Sequence, residues 1–514
     1  MTAEQAVAAI QDGATVACGG FVGAAHPEAL TAALEKRFLK TTRPRDLTLV
    51  YAAGQGDGKL RGLNHLAHEK LLRRVVGGHW GLAPKLGKLA IEGKIEAVNF
   101  PQGVMCQLFR DIAAGRPGCI THVGLDTFMD PIHDGGALND ITAPGAVERI
   151  TLGDRAWLWY KAFAIHVALI RATAADPQGN LLMDNEVIIG ETLAIAQAAH
   201  NSGGIVIAQV ARTLDKPARP HHVTVPGIIV DAVVVGQAHE HEQTFAEHYN
   251  RAYVSPAPEH DSGQWMKPVA PGPRRIIAAR ACEEVPANAI ANLGIGMPEG
   301  IARIAAERGW LDRFTLTVES GPIGGMPAGG LSFGASVYPQ AIVDQPAQFD
   351  FYDGRALDFA ALGAAQIDQH GNVNVSRFGN RLAGIGGFAN ITQTARRVVF
   401  CGTFTADGLE VAVHDGRLRI VTEGRCCKFV GQVQHLSFSA QRSRQVGQIV
   451  LYVTERAVFQ LTEHGIELIE IAPGIDLHKH ILSQMAFEPI IRRLRPMPAH
   501  VFEPPAAFGK TTHT

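Results

Sequence analysis

The chain has 514 residues, roughly three to five times a common domain of ~100–200 residues, so it should fold as two or more domains. Apolar residues make up 46% and charged residues 19%, a balance that excludes intrinsic disorder. The 47 Lys and Arg nearly cancel the 49 Asp and Glu, and a net charge of −2 offers no basic field to nucleic acid or an anionic membrane.

In chain order, the first residues lack the basic region and apolar core of a signal peptide, no apolar run reaches ~18 residues, and a cytoplasmic, non-membrane protein is expected. Apolar, β-branched runs then alternate with Ala-rich stretches, the pattern of βαβ units on mainly parallel sheets. Buried strands are predicted at 46–51, 204–210, 228–235, 316–318, 397–401 and 448–454, and helices at 28–40, 191–201 and 299–308. The seven cysteines follow no framework spacing and read as reduced, mostly buried thiols. A Pro-, Ser- and Gly-rich stretch at 247–273 reads as a linker between an N-terminal domain, 1–246, and a C-terminal domain, 274–514.

The two parts repeat each other. Val16 to Leu30 and Ala291 to Ile301 are each an apolar run, a glycine turn and a Pro-Glu pair opening a helix, and Asp176-Pro-Gln-Gly-Asn180 is echoed by Asp368-Gln-His-Gly-Asn372. The landmarks lie 152 residues apart in the first part (Pro27 to Gly179) and 73 in the second (Pro298 to Gly371), so the first should carry an insertion of about 80 residues. Two related open α/β domains fused in one chain are expected.

Several motifs compete for the chemistry. Gly294-Ile-Gly296 sits between a strand and a helix, but Pro298 and the displaced third glycine leave a phosphate cradle and not a full dinucleotide fingerprint. Gly330-Leu-Ser332-Phe-Gly334 matches a nucleophile-elbow string without the preceding hydrophobic strand. His239-Glu-His241-Glu with His248 reads as a solvated polar segment, since no third metal ligand is evident. Glu319 ends a strand and precedes a long glycine loop, where ligands collect in open α/β sheets. A second glycine loop, 384–390, could present backbone N–H groups to an oxyanion.

Asn292-Leu-Gly-Ile-Gly-Met-Pro298, Val318-Glu-Ser-Gly-Pro-Ile-Gly-Gly325, the Ala365 to Arg377 stretch and Gly386-Gly-Phe-Ala-Asn-Ile-Thr392, with Gly19-Gly-Phe21 and the Pro101 to Gly118 stretch, resemble the class I coenzyme A transferases, most of all their single-chain acetate/propionate branch. The ketoacid transferases usually have Glu-Asn-Gly where this chain has Glu319-Ser320-Gly321, which weighs against acetoacetyl or succinyl specificity. The resemblance implies a ping-pong transfer of CoA between a short-chain acyl-CoA and a free carboxylate, with Glu319 as nucleophile and an enzyme glutamyl-CoA thioester as intermediate. It implies Gln102 and the backbone of Gly386 and Gly387 as oxyanion donors, a CoA site near Asn292, Gly294, Gly296, Phe388 and Asn390, and reaction between the two halves. CoA would be substrate and covalent intermediate, with no metal and no permanently bound cofactor, in a homo-oligomer, dimer or tetramer. An acyl-CoA hydrolase using the same intermediate, or a non-catalytic CoA-binding protein, is the alternative; the intact Glu319 argues against the latter.

Overall fold

A computed structural model describes residues 1–258 and 268–504; the linker predicted at 247–273 and the end of the C-terminal domain lie partly outside them. Contacts divide the chain into two compact units. Unit 1 comprises Met1–Pro256, Val318–Asp353 and Gly379–Asn390; unit 2 comprises the described residues of Ala257–Thr317, Gly354–Phe378 and Ile391–Thr514. Neither unit is a single stretch of chain.

Unit 1 is built on a seven-membered parallel array of β1 (Thr15–Cys18), β2 (Leu47–Tyr51), β3 (Leu72–Gly77), β4 (Glu96–Asn99), β5 (Val167–Ala175), β6 (Ile205–Thr213) and β7 (Ala232–Val235), in the order β7-β6-β5-β1-β2-β3-β4. Strands such as Leu47-Thr-Leu-Val-Tyr51 are buried throughout because helices cover both faces of a parallel sheet. The order reverses at β1, whose neighbours β2 and β5 lead away in opposite directions. Between β4 and β5 a separate antiparallel sheet of Gly118–Thr121, Arg155–Lys161 and Val147–Leu152 accounts for much of the predicted insertion.

Unit 2 repeats the plan with β8 (Ala289–Leu293), β9 (Phe314–Thr317), β10 (Phe359–Gly363), β11 (Arg397–Cys401) and β12 (Ile449–Val453), paired in parallel as β9-β8-β10-β11-β12. This is the order β2-β1-β5-β6-β7 again. The landmark turns match bond for bond: Asp176 Oδ1 accepts from the N–H groups of Gln178 and Asn180 at 2.9 and 3.0 Å, and Asp368 Oδ1 from those of His370 and Asn372 at 3.0 Å each. In both, the Asn side chain donates to the second carboxylate oxygen, and Gly179 or Gly371 turns the chain at φ +80 or +89.

The strand predicted at 228–235 is corrected: Gly227–Ile229 is a 3₁₀ turn with Ile228 exposed, and the strand starts at Ala232. Gly227 is held by the landmark turn, its N–H donating to Asn180 Oδ1 at 2.8 Å, so the chain cannot extend until past it. All seven cysteines are free, five of them buried. No helix among the described residues is long and apolar enough to cross a membrane.

Candidate active site

A parallel sheet delivers the loops that follow its strands to one edge, and in unit 1 that edge gathers residues singled out above. β4 ends at Asn99, fully buried, whose Nδ2 donates to the carbonyls of Gly77 (2.7 Å) and Gly78 (2.6 Å) and whose Oδ1 accepts from the N–H of Ile385 (2.9 Å). Pro101 fixes the backbone at the start of the helix Gln102–Ala113. The Gln102 N–H donates to Gly386 O at 2.9 Å, the Gly386 N–H to Gly78 O at 2.8 Å, and the N–H groups of Trp80 and Gly81 to Ala383 O at 2.7 and 3.0 Å. The glycine loop is thereby laced to the ends of β3 and β4. Gly386 is left-handed at φ +53, and a Cβ there would lie 3.6 Å from His79 Cβ and 3.8 Å from Gln102 Oε1.

Of the two loop N–H groups expected to receive an oxyanion, that of Gly386 donates to Gly78 O, whereas the Gly387 N–H makes no hydrogen bond among the described residues. Gln102 Nε2, on a side chain 3% exposed, is also buried without a partner. So is His79 Nδ1, which sequence reasoning missed; burial, with a smaller push from Arg381, lowers that imidazole to about 4 and keeps it neutral. Its signal was a Gly77-Gly78-His79 run directly after an apolar strand. Asn390 accepts from the Gly103 N–H at 3.1 Å and donates to both carboxylate oxygens of Asp353 at 3.0 Å, while burial raises Asp353 to about 7. A Cβ at Gly103 would run into Asn390 and Phe349. Phe388 is buried.

Glu319 lies in a tight turn, the Val318 N–H donating to Pro322 O (2.9 Å) and the Gly321 N–H to Val318 O (3.0 Å). Glu319 is buried, the residue being 8% exposed. Ser320 Oγ donates to Gly334 O at 2.6 Å, and Gly334 lies against the Phe21 ring, leaving no room for a Cβ. Phe21, which also packs on Phe333 with centroids 5.6 Å apart, stands three residues past the end of β1. The turn carrying Glu319 is therefore anchored where the strand order reverses, the usual place for a ligand in an open α/β sheet.

Asn292, Gly294 and Gly296 belong to unit 2. Asn292 is fully buried within β8, its Nδ2 donating to Thr317 O at 3.3 Å. Gly296, at φ +90, faces open space, and its N–H donates to Glu299 Oε1 at 2.8 Å, so a carboxylate of the chain itself sits where an anion would bind. Ser332 is in a 3₁₀ turn and hydrogen-bonds Thr244 and Glu247, not a histidine. His241 is not solvated as expected: with side-chain exposure of 7% it contacts Glu186 at 3.2 Å. No group of His, Cys, Asp and Glu among the described residues could hold a metal ion.

The coenzyme A transferase family model matches residues 1–236. Over 96% of this chain and 92% of the relative, the sequence is 41% identical to the acetate CoA-transferase YdiF of Escherichia coli K12. The chain belongs to the coenzyme A transferase family. It is 42% identical to the caffeate CoA-transferase of Acetobacterium woodii, over 96% of this chain and 94% of that one. A crystal structure of the acyl-CoA transferase YdiF from E. coli O157:H7, a thioester complex with CoA, superposes with a TM-score of 0.92 at 40% identity, covering 98% of this chain and 96% of the other. CoA transfer is the chemistry this fold performs here.

Proposed function

We propose that the chain transfers CoA between a short-chain acyl-CoA and a free carboxylate of the acetate or propionate type, by a ping-pong mechanism through Glu319. The Glu319 carboxylate attacks the thioester carbonyl carbon, the C–S bond breaks, and CoA thiolate leaves behind an acyl-glutamyl anhydride. The thiolate then attacks the Glu319 carbonyl carbon, the anhydride C–O bond breaks, the first acid leaves as a carboxylate, and the enzyme is left as a glutamyl-CoA thioester. The incoming carboxylate reverses both steps. An anhydride keeps the activation of the thioester only where water is excluded, and the burial of Glu319 suits that demand.

The observation that carries this reading is the pair of unsatisfied donors at the same sheet edge, Gln102 Nε2 and the Gly387 N–H, which suit the oxyanion of each addition step. We assign Gly386, with Asn390, to positioning: they fix Gln102 and Gly103 through the backbone contacts above. The open Gly294-Ile-Gly296 turn suits a phosphate of CoA, which would displace Glu299 from the Gly296 N–H; Asn292 and Phe388 we assign to the CoA site on the family resemblance. The names of the relatives, one acting on acetate and one on caffeate, support CoA transfer to small carboxylic acids. We further place the enzyme in the cytoplasm as a homo-oligomer whose partners are small molecules.

Steady-state kinetics over a panel of acyl-CoA donors and carboxylate acceptors tests the proposal. Parallel double-reciprocal lines, with formation of the acceptor's acyl-CoA and no net release of free CoA, are expected; free CoA released at the same rate with or without acceptor would make the protein a hydrolase.

A further inference from the structure

Glu191, Gln345 and Gln348 hold a concentration of unsatisfied polarity that nothing above uses. Glu191 is 1% exposed and neither carboxyl oxygen has a hydrogen-bond partner among the described residues; Gln345 is 0% exposed with both amide atoms unpartnered; Gln348 is 1% exposed with Nε2 unpartnered. Buried polar groups are nearly always satisfied, because leaving one unpaired costs ~1–3 kcal/mol, so five such atoms in one place point to a ligand-binding function.

They are in one place. The Gln345 N–H donates to Gly190 O at 3.0 Å, which sets Gln345 beside Glu191, and Gln348 lies one helical turn on, along Gln345–Asp353. The place adjoins the proposed chemistry on two sides. Pro322 pairs with Ile342 in antiparallel register and the Val343 N–H donates to Gly321 O at 3.1 Å, so Glu319 and Gln345 stand two residues beyond the same bonded pair. Phe349, next to Gln348, is the ring against which Gly103 closes, and Gln107 Nε2 donates to Pro346 O at 2.9 Å, which ties this helix to the one that begins at Gln102.

The five atoms are three oxygens and two amide nitrogens, and no cation is among them. A carboxyl that stays protonated offers one O–H, and the two amides offer N–H groups. We propose that Glu191, Gln345 and Gln348 form a neutral hydrogen-bonding subsite that holds the carboxylate of the acceptor acid before it attacks, and of the first acid as it leaves. A carboxylate takes up several donors at once, and a neutral set desolvates it without the tight ion pair that would stabilise the ground state and blunt its nucleophilicity. The inference rests on the Glu319 reading, since it names the binding site of that reaction's second substrate. Burial raises the Glu191 carboxyl to about 8. The titratable groups that face it are the thiols of Cys18 and Cys106, both raised well above the usual range by burial and so neutral in the same window. Asp353, at about 7, belongs to the far end of the same helix and is held by Asn390.

The test is the KM for acetate and for acetyl-CoA, from pH 6.5 to 9, in wild type, Glu191→Leu, Glu191→Gln and Gln345→Leu, with melting temperatures alongside. For wild type, the acetate KM should climb above pH ~8, about tenfold per unit, as Glu191 ionises and repels the carboxylate. Glu191→Gln should abolish that climb, and both leucine variants should raise the acetate KM at least tenfold at pH 7 while changing the acetyl-CoA KM less than threefold. Equal changes in both KM values, or a wild-type pH climb that persists in Glu191→Gln, would overturn the inference; so would folded leucine variants with wild-type acetate KM. Labelling of Glu319 by acetyl-CoA in the wild type separates the two failures, because its absence removes the nucleophile reading itself.

Discussion

The two strand–turn–helix segments that open the repeats share a plan and differ in what fills it. After β1 the turn is closed: Gly20 abuts His26 and Gln55, and Glu28, 7% exposed, takes the Gly62 N–H at 2.9 Å and His65 Nε2 at 3.0 Å. After β8 the equivalent turn is open: nothing lies within 4 Å of a Cβ at Gly296, Ile295 is 51% exposed, and among the described residues Glu299 holds only the Gly296 N–H. The loops after β2 and β9 diverge too, with Ala53 two residues past one strand and Glu319 two residues past the other. Meanwhile the Asp-x-x-Gly-Asn turns stay the same. The repeats keep the Asp-x-x-Gly-Asn turns and differ in the loops, one copy closed into a rigid turn and the other left open in the way the proposed nucleophile loop and anion turn require.

The largest effect that sharpens this contrast is at Glu319, where Glu319→Ala should lower transfer by at least ~10³-fold with an unchanged melting temperature, because the proposed mechanism makes the carboxylate a covalent participant. Ala53→Ser, at the matching place of the other repeat, should leave kcat within about twofold. Next, Gln102→Ala should reduce kcat by ~10²–10³ with little change in stability or in the KM for acyl-CoA, the signature of a lost oxyanion donor. A lowered melting temperature with near-normal kcat would make Gln102 a structural residue.

The two Pro-Glu openings should part company in stability. Burial alone would raise the Glu28 carboxyl; the His65 hydrogen bond, the imidazoles of His26 and His65 and the Gly62 N–H overcome it and hold it down at about 2. Its folded value thus lies below the unfolded one, so its contribution is complete above pH ~4.5 and is lost as pH falls toward 2. Glu28→Ala should cost ~3–5 kcal/mol in denaturant unfolding at pH 7, against less than ~1 kcal/mol for Glu299→Ala. Equal costs would break the contrast. At the conserved turns, Asp176→Ala and Asp368→Ala should each cost about 2–3 kcal/mol, and the two values should agree.

How much could be read in advance follows the same division. Strands rich in Val, Ile and Leu, such as Arg397–Cys401, and the Gly-Asn turns announce themselves because their determinants are local. β5 escaped because Val-Ala-Leu-Ile-Arg-Ala-Thr-Ala-Ala is Ala-rich and carries Arg171 at its centre, a charge tolerated only through the buried pair with Glu186 at 3.1 Å. The turn position of Glu319 was legible from its place after a strand and ahead of a glycine loop. Glu191 was not, since a Glu before an Ala-rich helix reads as an exposed helix start and only tertiary packing buries it. The commitment of the Gly386 N–H to Gly78 was equally hidden, being a contact across more than 300 residues of sequence.

The most direct test of the account is to incubate the enzyme with acyl-CoA in the absence of acceptor, digest it, and find by mass spectrometry which peptide carries CoA. The account predicts CoA in thioester linkage to Glu319, converted to an alcohol by borohydride and to a hydroxamate by hydroxylamine, and absent from Glu319→Ala. CoA or acyl label on Ser332 or on a cysteine, with Glu319 unmodified, would contradict it.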